Sequence, residues 1–101
     1  MSFTFKVAPS ADHQIREAAA WWLEHRTKAP HAFAEDLEAA FDLIEELAFI
    51  GEPVAHSRIA GLRRILLGRA RYHLYYVPSF EENTIEVLAL WHTSRRRPPP
   101  L

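Results

Sequence analysis

Basic side chains cluster in the second half of the chain. Arg64, Arg69 and Arg71 lie within one short stretch, and His92 ends a later apolar segment. Arginine can hold a phosphate group, and histidine, with an ordinary pKa near 6.5, can carry a proton at neutral pH. Metal-free cleavage of RNA needs both functions, because protons must move and the phosphorane charge must be stabilised. We therefore take Arg64, Arg71 and His92 as the candidate catalytic set.

The same residue types also have a structural interpretation. Arg63 and Arg64 could pair with acids of neighbouring helices as solvated ion pairs, which contribute little each. A histidine at the end of an apolar strand, such as His92, is more often hydrogen-bonded and partly buried than catalytic. The aromatic residues are most simply core or interface residues; they are Trp21, Trp22, Tyr72, Tyr75, Tyr76 and Trp91.

The net charge of −1 hides a division of charge along the chain. Residues 1–55 carry four basic and ten acidic residues, a net charge of −6, whereas residues 56–101 carry eight arginines and three acids, a net charge of +5. This division favours a partner that is acidic where it contacts the C-terminal half. Nucleic acid and an acidic protein segment both fit.

Length and composition indicate one domain over residues 1–101. Of these residues 49% are hydrophobic, which is enough for a packed core. The chain has no cysteine, which excludes disulfides and thiolate zinc sites and fits a reducing compartment, so we expect the cytoplasm. No apolar segment approaches the roughly 20 residues that span a bilayer. The histidines lack the spacing of a metal site, and we expect neither metal nor cofactor.

Helical periodicity dominates the first half, after a short strand. Residues 3–7 alternate apolar and polar and predict a half-buried strand. Ser10 is placed to cap a first helix, which should end just before Pro30. A second helix is predicted to begin at about Pro30 and to be closed by Gly51 and Pro53. The apolar faces comprise Ala11, Ile15, Ala18, Ala19 and Trp22, and then Phe33, Leu37, Ala40, Phe41, Ile44, Leu47 and Ala48.

Patterns typical of strands follow a loop at residues 52–61. Strands are predicted at residues 62–67, 70–77 and 84–92, and the last should be central because both of its faces become apolar. The order β-α-α-β-β-β predicts an α+β fold, with a helix hairpin packed on one face of a mainly antiparallel sheet. Residues 94–101, with three prolines, should leave the body of the domain as a flexible tail.

Three motifs follow one another in the second half. They are GLRRILLGRARYHLYYV at residues 61–77, IEVLALWH at residues 85–92, and the pair Arg95-Arg96. Their order and spacing resemble the C-terminal half of RelE/ParE family toxins. That family typically shows a Gly-Leu-Arg-Arg stretch, an arginine-rich hairpin with paired aromatics, and a last strand ending in an apolar residue, a histidine and a basic group. The strand, the Pro-Ser-Ala helix start and the helix hairpin are similar too, so the resemblance covers nearly the full chain.

The resemblance implies a toxin of a bacterial type II toxin-antitoxin pair, held inactive by a partner antitoxin in a hetero-oligomer. Two activities occur among such toxins. RelE-like members cleave messenger RNA on the ribosome, and ParE-like members poison DNA gyrase without being nucleases. A third possibility is an orphan relative that keeps the fold and binds a partner without being toxic.

Two strand residues favour the ParE-like branch. By the family's pattern, Leu66 and His73 occupy sites that are lysine or arginine in the nucleases, and no aromatic residue follows Trp91. A leucine cannot stabilise a phosphorane, and a slightly acidic chain suits RNA poorly because phosphate contacts dominate RNA affinity. We therefore expect a toxin that binds DNA gyrase. The alternative is a ribosome-dependent endoribonuclease.

Partner contacts are expected along the helix hairpin and the sheet. An antitoxin segment would bury aromatics such as Trp21 and Tyr75 and place acids near Arg63 or Arg71. The remaining candidate contacts are His92, Arg95, Arg96 and Arg97.

Overall fold

A computed structural model describes residues 3–101; Met1 and Ser2, part of the expected domain, lie outside the described residues. The elements are β1 (Thr4–Val7), α1 (Pro9–His25), α2 (Ala32–Glu46), β2 (Glu52–Pro53), β3 (Arg63–Leu67), β4 (Tyr72–Ser79) and β5 (Thr84–His92). Their order confirms the predicted succession, with the two-residue strand β2 as an addition. No helix within residues 3–101 is both long and apolar enough to cross a membrane.

The strands form one mixed sheet in the order β1-β5-β4-β3-β2. β1 runs parallel to β5, with Thr4 opposite Thr84, and the other neighbouring pairs are antiparallel. β5 lies between β1 and β4, which confirms the prediction of a central strand. The two helices pack on one face of this sheet, so the predicted α+β architecture is confirmed.

The helices begin at different residues from those predicted. α1 starts at Pro9 with Ala8 as its N-cap, and no side chain caps it, so Ser10 is not the cap. Proline suits the first helical position, because its missing N–H would have no partner there. The backbone N–H of Ala8 donates to the Val87 carbonyl at 2.9 Å, which ties the helix start to β5. α2 begins at Ala32 rather than at Pro30.

The main core fills the space between the helix hairpin and the sheet. Its largest fully buried side chains are Phe33, Ile44, Leu67, Leu74, Tyr76, Ile85 and Val87. These residues come from α2, β3, β4 and β5, and α1 contributes Trp22. The periodic apolar faces recognised in the sequence therefore meet in this core.

An extra residue in β5 changes which face its side chains reach. Tyr75 pairs with Ala89 and Tyr76 pairs with Val87, which leaves Leu88 as a bulge. Val87 consequently faces the helices, whereas Leu88 and Ala89 both belong to a second apolar cluster, on the other face of the sheet. The bulge explains why two consecutive residues of β5, Leu88 and Ala89, reach the same cluster.

The second cluster is covered by loops and by the C-terminal tail, so the prediction that residues 94–101 leave the body of the domain is wrong. Leu101 packs against the cluster, and the His56 ring lies 3.0 Å (Nε2) from the Leu101 carbonyl oxygen. The Trp91 indole N–H donates to the carbonyl of Arg97 at 2.8 Å. Prolines cannot join a sheet ladder, but their apolar rings can cover an apolar face, and Pro99 is buried.

Two further predictions about the strands are wrong. Residues 52–53, predicted as loop, form β2 against β3, where Glu52 lies opposite Arg64 and forms a salt bridge of 2.7 Å with it. β4 does not end before Pro78 but continues to Ser79, with Pro78 opposite Ile85. A proline is tolerated where its missing N–H leaves no ladder partner unpaired.

Tyr76 joins the sheet to the end of the helix hairpin. Its fully buried hydroxyl donates to the Ala48 carbonyl and accepts the N–H of Gly51, both at 2.9 Å. A Cβ at residue 51 would lie 2.5 Å from this hydroxyl and 2.9 Å from the Arg64 carbonyl oxygen, so only glycine fits. Burial raises the pKa of the Tyr76 hydroxyl, which therefore stays protonated and able to donate.

We expect Tyr76→Phe to lower the free energy of unfolding by about 1–3 kcal/mol, because two buried backbone groups lose their partner. Tyr75→Phe is the matched control. Among residues 3–101 its hydroxyl hydrogen-bonds only to the partly exposed Arg64, at 3.3 Å, so the substitution should cost less than about 1 kcal/mol. Urea unfolding of both variants measures the difference, and equal losses would contradict this role for Tyr76.

Candidate functional site

Two grooves meet near the end of β5. The sheet-face groove, of about 370 Å³, lies on the face opposite the helices and is lined by Arg64, His73, Tyr75, Trp91, His92 and the tail arginines. The helix-side groove, of about 570 Å³, lies between α1 and the β3-β4 turn and is lined by Trp21, Trp22, Arg26, Arg71, Tyr72 and His92. His92 lines both grooves.

Arg64 is neutralised inside the sheet-face groove. Its Nε donates to a carboxylate oxygen of Glu52 at 2.7 Å, and its Nη1 donates to the Tyr75 hydroxyl at 3.3 Å. Both hydrogen bonds raise the pKa of Arg64, and the bond to Tyr75 has the larger effect. Arg64 in turn lowers the pKa of Glu52. The cation therefore has a charge partner, with 33% of the Arg64 side chain and 63% of the Glu52 side chain exposed.

His73 occupies the middle of the same face, between Leu66 on β3 and Trp91 on β5. Burial lowers the pKa of the His73 imidazole, and the nearby positive charges of Arg64 and Arg71 lower it further, against an opposing effect of Glu52. The ring is therefore neutral at pH 7 and could accept a proton.

The tail brings its arginines to the edge of this groove. The guanidinium of Arg95 lies 4.0 Å from the centre of the Trp91 ring, and Arg96 and Arg97 are exposed. Tyr75 is only 5% exposed, so its ring is not available to a partner while the tail is in place. Of the aromatic residues predicted to contact a partner, Trp21 is accessible, with 40% of its surface exposed.

The β3-β4 turn positions Arg71. Arg71 has a φ of +65°, and its backbone donates to the Leu67 carbonyl at 2.8 Å and accepts the N–H of Thr93 at 2.9 Å.

On the helix side, the Arg26 guanidinium lies 4.7 Å from the centre of the Trp21 ring and 5.5 Å from the centre of the Trp22 ring.

His92 is held by two neighbours. Its ring meets Tyr72 edge to face, with centroids 4.8 Å apart. Its Nδ1 lies 3.1 Å from the Ser94 backbone N–H, which donates to it, and 2.8 Å from the Ser94 hydroxyl. Because Nδ1 accepts, the neutral ring carries its proton on Nε2; this tautomer is assigned from the hydrogen bonds.

Two other arginines of the second half have structural roles. Arg63 donates to the carbonyls of Phe49 and Gly51, at 3.0 and 2.7 Å. The predicted pairing of Arg63 and Arg64 with helix acids is made instead by Arg69, whose Nε donates to Asp36 at 2.9 Å. Partial burial acts to raise the pKa of Asp36, but hydrogen bonds from the backbone of Ala70 and from Arg69 outweigh it, and the pKa is lowered.

The structure does not gather the three candidate catalytic residues in one groove. Arg64 lines the sheet-face groove, Arg71 the helix-side groove, and His92 lies at the edge of both. Arg26 was not among the residues predicted from the sequence, although its position soon after two tryptophans is a signal for stacking. His73 was predicted only as a departure from the nuclease pattern, because the sequence does not show which residues lie beside it in the sheet.

The family model of the ParE toxin of the type II toxin-antitoxin system parDE matches residues 5–97. The chain belongs to this family. Solved structures share its fold: the toxin-antitoxin complex RelBE2 from Mycobacterium tuberculosis has a chain that aligns with a TM-score of 0.63 and 24% identity, over 91% of this chain and 99% of that one. The chromosomal ParDE toxin-antitoxin system from P. aeruginosa aligns with a TM-score of 0.65 and 16% identity, over 90% of this chain and 96% of that one. A comparison with curated proteins found no significant match.

We expect Arg64→Gln to raise the pKa of His73 part of the way to its ordinary value, because one of the charges that disfavour the protonated ring is removed while burial remains. Histidine ring signals followed by NMR against pH measure this. Arg58→Gln, which changes the net charge equally, should leave the His73 titration unchanged.

The lowered pKa of His73 also determines whether the free energy of unfolding rises or falls with pH. The unfolded chain binds the His73 proton more readily than the folded chain. His73 therefore contributes stability that is present above its unfolded pKa, about 6.5, and is lost as the pH falls through the folded value. A His73 that titrates at or above its ordinary value would contradict this account.

Proposed function

We propose that this ParE-family protein is a growth-inhibiting toxin that acts in the cytoplasm by binding a protein target, DNA gyrase, and that a cognate antitoxin neutralises it. Family membership over residues 5–97 supports the toxin class. The choice of a binding activity over catalysis depends on the state of one residue, Arg64.

The salt bridge of 2.7 Å between Arg64 and Glu52 is the observation that carries this choice. In the sheet-face groove, Arg64 is the only arginine carried by a strand among the described residues, and Glu52 already neutralises it. Leu66 lies two residues further along β3 and offers no charge. A phosphorane needs unneutralised donors aimed at the developing charge, and these strands do not provide them.

One observation favours the ribonuclease as a second candidate. The sheet-face groove holds the neutral imidazole of His73 together with His92 and the tail arginines. A neutral histidine could take a 2′-hydroxyl proton, and a second histidine could protonate the leaving oxygen. In this candidate His73 replaces Arg71, which lines the other groove, in the catalytic set.

Induced expression in bacterial cells separates the two functions. For a gyrase poison we expect filamentation and a DNA-damage response. His92→Ala should change toxicity little, whereas the double variant Arg96→Gln, Arg97→Gln should lose most of it, with an unchanged melting temperature. Arg16→Gln with Lys28→Gln is the charge-matched control.

A nuclease would give the opposite ranking. Protein synthesis would stop without DNA damage, and His73→Ala or His92→Ala would reduce cleavage by roughly 10²–10⁴-fold, the usual loss of a general acid or base. Such a result would overturn the gyrase assignment.

The antitoxin proposal rests on apolar side chains that the chain leaves in water. Trp21 on α1 is 40% exposed, and Phe49 and Phe80, whose ring centroids lie 5.1 Å apart, are 48% and 66% exposed. Large exposed apolar residues on so small a domain mark surfaces that a partner covers. The neighbours from M. tuberculosis and P. aeruginosa are described as toxin-antitoxin systems, which fits a partner of this kind.

We expect the product of an adjacent reading frame to co-purify with this chain, and Trp21→Ala to weaken the complex by about 30-fold or more, as for an interface hot spot. Leu23→Ala is the matched control. It lies two residues further on, about 200° around the helix, and should cost less than about threefold. Isothermal titration measures both affinities. A chain that is harmless and has no co-purifying partner would contradict the pairing.

A further inference from the structure

Three arginines line the helix-side groove, and only one of them has a counter-ion. Arg69 is held by Asp36 at 2.9 Å and by Glu35 at 3.1 Å. The other two, Arg26 and Arg71, form no ion pair with residues 3–101. No carboxylate belongs to the described lining of the groove. The groove therefore has an excess of positive charge.

Arg26 is positioned without using its hydrogen-bond donors. Its guanidinium lies over the rings of Trp21 and Trp22, a cation-π arrangement that holds the group in place through its flat face. Within the described part of the chain its side-chain N–H groups donate to no acceptor. They are available to a ligand.

Arg71 stands at a position where an arginine is conformationally unfavourable. Its φ of +65° is in the left-handed region that glycine favours, and two backbone hydrogen bonds, to Leu67 and from Thr93, fix it there. Arg71 lines the groove, and its side chain makes no hydrogen bond to any residue from 3 to 101. The turn therefore adds an unpaired cation to the groove that Arg26 also lines.

Two neutral hydrogen-bond donors also line the helix-side groove. Tyr72 lines the groove, and burial raises the pKa of its hydroxyl, which therefore stays protonated and can donate. His92 presents its Nε2 proton, because Nδ1 accepts from Ser94. The polar groups offered are donors, and a ligand that suits them is an anion with several acceptor oxygens.

We propose that the helix-side groove binds the phosphate ester of a nucleotide. The volume of about 570 Å³ exceeds what a phosphate ion fills and lies in the usual range of small-ligand sites. Arg26 and Arg71 contact the phosphate oxygens, and the apolar sides of Trp22 and Tyr72 contact the sugar and base. The ester belongs either to a free nucleotide or to a nucleic-acid strand. The site is independent of which target the toxin attacks.

Binding by the full chain tests this site. The probes are inorganic phosphate, deoxyadenosine 5′-monophosphate, the uncharged deoxyadenosine, and a five-nucleotide deoxyadenosine strand. We expect the monophosphate to bind and the nucleoside not to. Arg26→Gln and Arg71→Gln should each weaken binding by about tenfold or more, the effect of one charged hydrogen bond. Arg16→Gln, an exposed residue of α1 paired with Asp12, removes the same charge elsewhere and should leave affinity unchanged.

The strand and the monophosphate distinguish the two sources of the ester. Tighter binding of the strand, with a steeper salt dependence, assigns the groove to nucleic acid, and equal affinity assigns it to a free nucleotide. NMR signals of the Trp21 and Trp22 indoles should move. Movement of Trp91 alone, equal binding of deoxyadenosine, no binding by any phosphate ester at millimolar concentration, or an equal loss in Arg16→Gln would each overturn the proposal.

Discussion

The bulge at Leu88 is the constraint on which the rest of the structure depends. Without it, Ala89 and Trp91 would follow Val87 onto the helix side, and Leu90 would leave the main core for the second face of the sheet. With it, Trp91 reaches the sheet-face groove while Leu90 reaches the main core. His92, at the end of this strand, borders both grooves.

Pairing of charges decides which arginines are available for binding. Arg69 and Arg64 are bound to acids, and Arg63 is bound to backbone carbonyls. These three arginines connect α2 and β2 to β3 and its turn. Arg26 and Arg71 are instead fixed by ring stacking and by backbone geometry, which position a guanidinium without occupying its donors. The chain therefore uses one residue type both to stabilise its fold and to present charge.

The tail shows where local rules and packing diverge. Three prolines at residues 98–100 exclude a strand, and this part of the prediction is correct. The exclusion of proline from strands does not predict whether residues 94–101 are buried. They pack on an apolar surface formed by Leu62, Tyr75 and Ala89, which exists only after the sheet has assembled. Residues 94–101 cover that surface, so the arginines among them approach Trp91 rather than extending into solvent.

Periodicity by itself determined the helix hairpin, the central strand at residues 84–92 and the α+β class, because those properties depend on the alternation of apolar residues with a period of 3.6 or 2. The motifs at residues 61–77 and 85–92 determined the family. Only the tertiary structure decided that Arg64 meets Glu52, that Arg71 and Arg64 lie in different grooves, and that His73 is kept neutral. These outcomes depend on strand register and on burial, which bring together residues far apart in sequence and which no local pattern encodes.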